Sequence, residues 1–260
     1  MNLISYKPRK PDSIKKIIKK IFFWFYNNNW DEMFKYIITQ IANNVPDVLL
    51  KLFSKKKICS ICQFKSYNFF HLSNYRSITW NSACPNCDSR SRHRGLFFLY
   101  QNNILKDQNK KILHFAPELI LSRRLINQRN NEYYTTDLFR KDVNYPNEDI
   151  QDLSFNDYSF DIILCNHVLE HVKNDIKGLE EIERILTKNG IAVITIPGNW
   201  KKRTKYFFSP DNNGHYRDYG FDIILKFRKI FSKVYVQELY RYQGQKYAIK
   251  KGEIAFVCIK

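Results

Sequence analysis

The chain is expected to be an α/β protein: a mostly parallel sheet with helices on both faces, preceded by a small metal-bound module and a helical lead-in. Three observations point there. Over 111–260, short apolar runs alternate with stretches of helical periodicity, the pattern of strand–helix–strand units. Four of the six cysteines fall between about 58 and 110 in two C-x-x-C pairs. Finally, 260 residues that are 44% hydrophobic and 26% charged exclude wholesale disorder and leave room for one full-sized domain with a small appendage. The expected divisions are a basic helical extension over 1–57, a ribbon with a connecting helix over 58–110, and the sheet domain over 111–260.

In the extension, Ile14, Ile17, Ile18, Ile21, Phe22 and Phe25 recur at helical spacing, while Lys15, Lys16, Lys19 and Lys20 fill the other face. This predicts an amphipathic helix capped by Asp12 or Ser13. A second helix is expected from Trp30 to about Asn43, with Met33, Ile37, Ile38 and Ile41 as its stripe. Pro46 breaks it, and a short helix then leads to Lys55-Lys56-Lys57. Such stripes ordinarily pack on their own domain, and that is the expectation; peripheral membrane contact through Ile14–Phe25 is the alternative. The greasiest stretch, Ile21 to Tyr26, is too short to span a bilayer, and no cleavable export signal is evident. A cytoplasmic location follows as the expectation, with the inner face of a membrane as its peripheral variant.

The net charge of +18 is uneven: residues 1–110 carry 19 Lys and Arg against 6 Asp and Glu, residues 111–260 carry 24 against 19. An N-terminal excess of this size suits an anionic polymer or membrane face. A chain rich in Lys, Asn and Ile can equally reflect the base composition of its coding DNA.

Cys59-Ser60-Ile61-Cys62 and Cys84-Pro85-Asn86-Cys87 form two knuckles separated by 21 residues. Two knuckles brought together offer four thiolates, the closed tetrahedral set of a structural zinc site. Gln63 and Asp88 follow the knuckles where glycine is commoner. Cys165 and Cys258 lie in predicted strands and read as inert core residues. Arg90, Arg92 and Arg94 sit three in five residues; they suit an anion or a solvated helix start, with nothing in the pattern to choose. An apolar helix then follows through Leu96, Phe97, Tyr100 and Ile104.

In the last segment, strands are expected at Lys111–Phe115, Glu132–Thr136, Phe160–Asn166 and Ile191–Ile196. Helices are expected at Glu118–Gln128, from the end of the third strand to Thr187, and near Phe221–Phe231. Lys233–Glu238 and Glu253–Ile259 close the sheet as an antiparallel pair. After the first strand the chain reads His114-Phe115-Ala116-Pro117-Glu118, and no glycine occurs between Gly95 and Gly178. A pyrophosphate would find no glycine cradle, which disfavours NAD and FAD. Asp137 ends the second strand, where an acid accepts hydrogen bonds from ribose hydroxyls.

Asp149 to Phe155, Phe160 to Ile163, Val168 to Val172 and Glu181 to Gly190 resemble, in this order, the class I S-adenosylmethionine-dependent methyltransferases across most of 111–260. More narrowly, Cys84–Cys87, Arg90–Arg94, Leu113–Glu118, Cys165–Val172 and His215–Gly220 resemble a branch of these enzymes that carries an N-terminal four-cysteine zinc ribbon. The resemblance implies a Rossmann-like sheet of seven strands, mostly parallel with an antiparallel last strand. It implies S-adenosylmethionine as cofactor, the methionine part near His114, Phe115, Ala116 and Glu118. It gives Asp137 the ribose and Asp149 with Ile150 the adenine, and it sets Asn166 and His167 beside the reactive methyl. Asn189-Gly190 departs from the usual proline-glycine pair, which touches a turn and not the site.

His167, Glu170 and His171 stand at i, i+3 and i+4, so one helical face would present all three. Some O-methyltransferases resemble this with an acidic pair plus histidine that holds a divalent ion. Here His167 replaces the first acid, and His215 would add a ligand. The expectation is the metal-free alternative, with Glu170 and His171 structural and His167 or His215 as catalytic base, since an imidazole exchanges its proton near neutral pH. Residues 198–220 interleave Trp200, Tyr206, Phe207 and Phe208 with Lys201, Lys202 and Arg203, which suits a sugar or a nucleobase. The expected function is methyl transfer to an oxygen or nitrogen of a small-molecule or glycan acceptor. An RNA methyltransferase docking through the ribbon and basic N-terminus is the first alternative, and a non-catalytic zinc-ribbon binding protein the second.

Overall fold

A computed structural model of the chain describes residues 8–73, 77–126 and 130–260. They fall into two units: residues up to Phe98 together with Leu239–Glu253, and Leu99–Glu238 together with Ile254–Lys260.

The first unit begins with α1 (Ile14–Tyr26), α2 (Trp30–Asn43) and α3 (Asp47–Leu50). Ser13 caps α1 by accepting from the Lys16 N–H. Trp24 of α1 meets Tyr36 of α2 edge-on at 5.0 Å, and Lys20 lies over the same ring. Lys20 and Trp24 of α1 thus meet α2, joined from the predicted stripe by Phe25, which lies edge-on to Trp30 at 5.0 Å, while Ile17 and Ile21 are half-buried. No residue of α1 is buried, and Ile14, Ile18, Phe22 and Phe25 are exposed. In α2 the buried face is Met33, Tyr36 and Thr39, while Ile38 and Ile41 point outward. The predicted stripes are therefore split: Met33 is buried and Ile17, Ile21 and Ile37 are half-buried, while Ile14, Ile18, Phe22, Phe25, Ile38 and Ile41 are exposed.

Two short antiparallel pairs follow, β1 (Lys57–Ile58) with β2 (Lys65–Ser66) and β3 (Phe70–Ser73) with β4 (Ile78–Ala83), then α4 (Ser91–Leu99). Each cysteine knuckle turns back through a left-handed residue, Gln63 at φ 61° and Asp88 at φ 55°. The N–H of each donates to the first cysteine's carbonyl at 2.9 Å. The departures from glycine are therefore real left-handed positions carried at a modest steric cost.

Arg94 is fully buried and uses all five of its N–H donors on backbone carbonyls. Nε donates to Tyr247 O at 2.8 Å, Nη1 to Ser82 O at 3.1 Å and to Ser89 O, and Nη2 to Asn81 O at 3.3 Å and to Ala248 O. Its guanidinium also lies over the Phe69 ring at 4.9 Å. Of the three arginines left open by the sequence, this one is an internal staple. It ties β4 and the second knuckle to the Leu239–Glu253 segment, which includes a one-turn helix at Gly244–Tyr247. The segment approaches α4 so closely at Gly95 that a Cβ there would stand 2.6 Å from Leu239 Cβ.

The second unit runs β5 (Lys111–Phe115), α5 (Leu119–Leu125), β6 (Glu132–Asp137), β7 (Tyr145–Pro146), β8 (Phe160–Asn166), α6 (Asp175–Ile185) and β9 (Leu186–Thr195). It continues with β10 (Gly198–Asn199), β11 (Lys205–Tyr206), β12 (Arg217–Gly220), α7 (Ile223–Ile230), β13 (Lys233–Glu238) and β14 (Ile254–Ile259). Seven strands form one sheet in the order β13-β14-β9-β8-β5-β6-β7. The pairs from β9 to β7 are parallel, and β14 is antiparallel to both its neighbours. This is the Rossmann-like methyltransferase sheet that the sequence predicts. Leu113, Ile163, Cys165, Ala192, Ile194 and Phe256 fill its core, the continuous apolar runs of strands covered on both faces. Cys165 and Cys258 are buried here, and burial pushes both thiols up, away from reactivity.

Two predicted helices are shortened. The helix expected over Glu118–Gln128 is α5, ending at Leu125, and residues 127 and 128 lie outside the described residues. No helix follows β8 directly: there is a single 3-10 turn at Leu169–His171, a break, and then α6, which Asn174 caps by accepting from the Lys177 N–H. The strand β9 begins at Leu186, so Thr187 is not helical.

Candidate active site

Strand order reverses between β5 and β8: the chain leaves β5 for β6 and β7 on one side, then returns to β8 and β9 on the other. In open α/β sheets the crevice at such a reversal, beyond the carboxyl ends of the strands, is where ligands bind. A cavity of about 240 Å³ lies there. Its floor is Phe115 and Ala116 after β5, with Asp137 after β6, Asp149 and Ile150, and His167 after β8. Leu138, Phe139, Glu148, Gln151, Val168, His171 and Val172 complete the wall.

Local conformation explains how non-glycine residues open this space. Ala116 takes φ 44° and donates its N–H to Thr136 O at 2.8 Å, turning the chain away from the sheet without a side chain beyond Cβ. Asp137 Oδ1 accepts from the N–H groups of Phe139 and Arg140 at 2.8 and 3.0 Å, which fixes the carboxylate at the strand end. Asp149 is held against Gln151, whose N–H donates to Oδ1 at 2.9 Å. Ile150 is buried and packs against Gly178 of α6. Five of the eight predicted cofactor residues (Phe115, Ala116, Asp137, Asp149 and Ile150) thus line one cavity.

The other three, His114, Glu118 and Asn166, form a network of their own. Asn166 is buried and donates from Nδ2 to His114 Nε2 and to Glu118 Oε2, both at 3.2 Å. Its Oδ1 accepts from Tyr100 Oη at 3.0 Å and Thr195 Oγ1 at 3.2 Å. His114 Nδ1 pairs with Tyr133 Oη at 2.6 Å. Burial pushes the Tyr100 and Tyr133 phenols up, so both remain neutral. A network satisfied in this way locks the ends of β5 and β8 relative to each other. Tyr100, Tyr133 and Thr195 were not legible as partners, because each lies far from Asn166 in sequence.

His167 takes φ 54° and is pinned by its N–H to Thr195 O at 2.8 Å. Its Nδ1 lies 3.1 Å from Oε1 of Glu170, which is buried and whose Oε2 has no hydrogen bond among the described residues. The three side chains expected on one helical face are brought together by a turn instead. Glu170, His171 and His215 have ligand atoms within 4.8 Å of one another, and the His171 and His215 rings meet edge-on. His167 is not one of that group. His215 does not line the cavity, whereas His171 does.

Residues of the His215–Gly220 stretch brace this turn. Buried Arg217 donates from Nη1 to Leu169 O at 3.3 Å and from Nη2 to Lys173 O at 2.6 Å. Tyr219 donates to Asp175 Oδ2 at 3.0 Å, and Lys226 pairs with the same carboxylate at 2.9 Å. Gly220 is required where the chain crosses Lys202, since a Cβ would stand 2.2 Å from its carbonyl oxygen. Tyr219→Phe is expected to cost about 1–2 kcal/mol by removing a buried hydrogen bond, read as a fall of a few degrees in thermal midpoint.

The four cysteines of the first unit form the second candidate centre. Cys59 and Cys87 sulfurs lie 3.6 Å apart, those of Cys62 and Cys84 3.7 Å. Four sulfurs at zinc–thiolate bond length on a tetrahedron stand about 3.8 Å apart, so the geometry fits zinc. Hydrogen bonds from Cys62, Cys84 and Cys87 hold the Cys59 thiol well below its ordinary range, and hydrogen bonds with Cys59 push Cys84 and Cys87 up. Crowded like this, the sulfurs ionise together only beside a cation.

Residues 116–194 match the family model described as a methyltransferase domain. Among solved structures, the chain is similar to the Burkholderia thailandensis 1,6-didemethyltoxoflavin-N1-methyltransferase, bound to S-adenosylhomocysteine. The two are 15% identical with a TM-score of 0.50 over 65% of this chain and 78% of that one. It is also similar to an S-adenosylmethionine-dependent methyltransferase of Archaeoglobus fulgidus, 12% identical with a TM-score of 0.47 over 65% and 94% of the two chains. A curated relative, an uncharacterized protein of Methanocaldococcus jannaschii, is 48% identical over 44 residues, which span 17% of this chain and 19% of that protein. The fold and the matched segment define the second unit as a class I methyltransferase domain. Residues 116–194 thus carry a methyltransferase domain.

Proposed function

We propose that this enzyme methylates an oxygen or nitrogen of a small-molecule or glycan acceptor, with His167 as general base. The observation that carries the reading is the His167–Glu170 pair at the cavity wall. With its proton on Nδ1 facing Glu170, the imidazole keeps a lone pair on Nε2 to take a proton from an acceptor. The buried Glu170 carboxylate then stabilises the imidazolium that forms, as the acid of a catalytic triad does. Asp137 would bind the ribose hydroxyls, Asp149 and Ile150 the adenine, and the turn at Ala116 the amino-acid end. The cofactor supplies an electrophilic methyl group. The chain's part is to orient the acceptor in near-attack geometry and exclude water.

The insertion over 198–220 supports a ring-bearing acceptor. It reaches the site through the Tyr216 N–H, which donates to Glu170 O at 2.8 Å, and it exposes Tyr206 and Phe208 beside Lys202, Arg203 and Lys205. The commitment of Arg94 to internal carbonyls removes one residue from the Arg90–Arg94 surface that RNA docking would use. Zinc on Cys59, Cys62, Cys84 and Cys87 has a structural role here, since four thiolates leave no open position.

Incubation with radiolabelled S-adenosylmethionine and fractionated cell extract tests the acceptor: label in small metabolites or glycan supports the reading, label in RNA overturns it. With the acceptor in hand, His167→Ala is expected to lower kcat about 100-fold with cofactor affinity unchanged, and Asp137→Ala to weaken cofactor binding at least about tenfold. Retained activity in His167→Ala would remove the base from this assignment. The reading needs no ion at Glu170, His171 and His215; loss of activity on chelation under conditions that spare the thiolate site would assign a divalent ion there instead.

A further inference from the structure

The N-terminal helices are well formed yet leave many large apolar side chains exposed. Ile14, Ile18, Phe22 and Phe25 make one stripe of α1, and Phe34, Ile38 and Ile41 one stripe of α2. The turn that follows adds Val48, Leu49, Leu52 and Phe53, the last 85% exposed. In α2 the choice is an inversion: Thr39 is buried at 1% while Ile41 is 66% exposed. A helix whose outer face met water alone would bury the isoleucine in preference to the threonine. So many large apolar side chains exposed within one short stretch of chain mark an interaction surface.

Charge identifies what covers it. Residues 1–57 carry 12 Lys and Arg against 4 Asp and Glu. Lys15 and Lys19 stand exposed on α1, and Lys51, Lys55 and Lys56 border the Leu52–Phe53 turn. Lys55 and Lys56 also line an open cavity of about 550 Å³ with Arg241, Lys246 and the Tyr240 ring, a basic recess of a size to take phosphate head groups. A second copy of the chain would bring the same lysines face to face. A bilayer with anionic head groups satisfies both features at once: its acyl boundary receives the isoleucines and phenylalanines, and its phosphates receive the lysines. Helices of 13 and 14 residues are about 20 Å long, which suits lying in the interface. No helix among the described residues is long and apolar enough to cross a membrane.

We propose that α1, α2 and the turn after α3 dock the protein on the surface of an anionic lipid bilayer. The proposal stands apart from the reading of the acceptor. The test is flotation of the full chain with vesicles of phosphatidylcholine alone and with about a third phosphatidylglycerol, at physiological salt. At least about tenfold more protein is expected on the anionic vesicles. The uncharged substitutions Ile18→Asn, Phe22→Asn and Phe34→Asn together are expected to abolish that binding. These side chains are exposed, so an unchanged thermal midpoint is expected to accompany the loss. Equal binding by the triple variant would reduce the effect to charge and overturn the proposal. So would failure to bind vesicles, whether the chain sediments as a monomer or as a dimer that the triple variant dissociates.

Discussion

Chelating zinc away from the proposed four-cysteine centre is expected to unfold the ribbon outright. Zinc binding at such sites is worth on the order of 10–16 kcal/mol, comparable to the whole stability of a typical domain. The elements it holds are slight: β1 and β2 are two residues each, and β3 has four. Hairpins so short do not persist without a staple. Cys84→Ser is the cleanest version, because Cys84 is buried and its sulfur lies 3.7 Å from that of Cys62. The expected result is loss of bound zinc, rapid proteolytic cleavage between Cys59 and Arg90, and a thermal midpoint that chelators no longer lower. Native chain whose four thiols react freely with a thiol reagent, with no zinc released, would sink the assignment.

Arg94→Lys is expected to be nearly as damaging as Arg94→Met, although it keeps the charge. The guanidinium reaches five carbonyls in three chain segments through a planar fork, and an ammonium offers three donors from one point. At least two buried carbonyls are then orphaned, each costing about 1–3 kcal/mol, so a loss on the order of 3–5 kcal/mol is expected for either variant. Denaturant unfolding followed at the ribbon reads this directly. A lysine variant within about 1 kcal/mol of wild type would show that water replaces the lost donors and that the staple is not structural.

The catalytic unit was legible because its signals are local. The runs Lys111–Phe115 and Phe160–Asn166 are strands at those boundaries, since an apolar run bounded by polar residues has few other uses. The cysteine spacing announced the sulfur cluster because two knuckles constrain the chain over a few residues each. Three other features depend on what lies far away in sequence. The acceptors of Arg94 include residues 153 and 154 positions later. The stripes of α1 and α2 were found by periodicity, which tells which side chains share a face and nothing of what covers it. The i, i+3, i+4 spacing of His167, Glu170 and His171 suggested a helix, but His167 at φ 54° cannot belong to one. Their proximity survives because the 3-10 turn is braced by Arg217 and Tyr219, nearly fifty residues downstream.

The Leu239–Glu253 segment gives the chain an unusual order of completion. Synthesis delivers the carbonyls of Tyr247 and Ala248 long after Arg94, by 153 and 154 residues. The neck of the segment, where the Leu239 N–H donates to Glu253 O at 2.8 Å, can close only when β14 is ready to follow. A nascent chain therefore carries an unsealed ribbon, its Arg94 fork still hydrated, through the synthesis of the 153 residues that lead from Arg94 to Tyr247. Contacts spanning so many residues form slowly. The knuckles wait for a partner made long after them, and a chain cut short before Tyr247 lacks both the Arg94 acceptors of the first unit and β14 of the second.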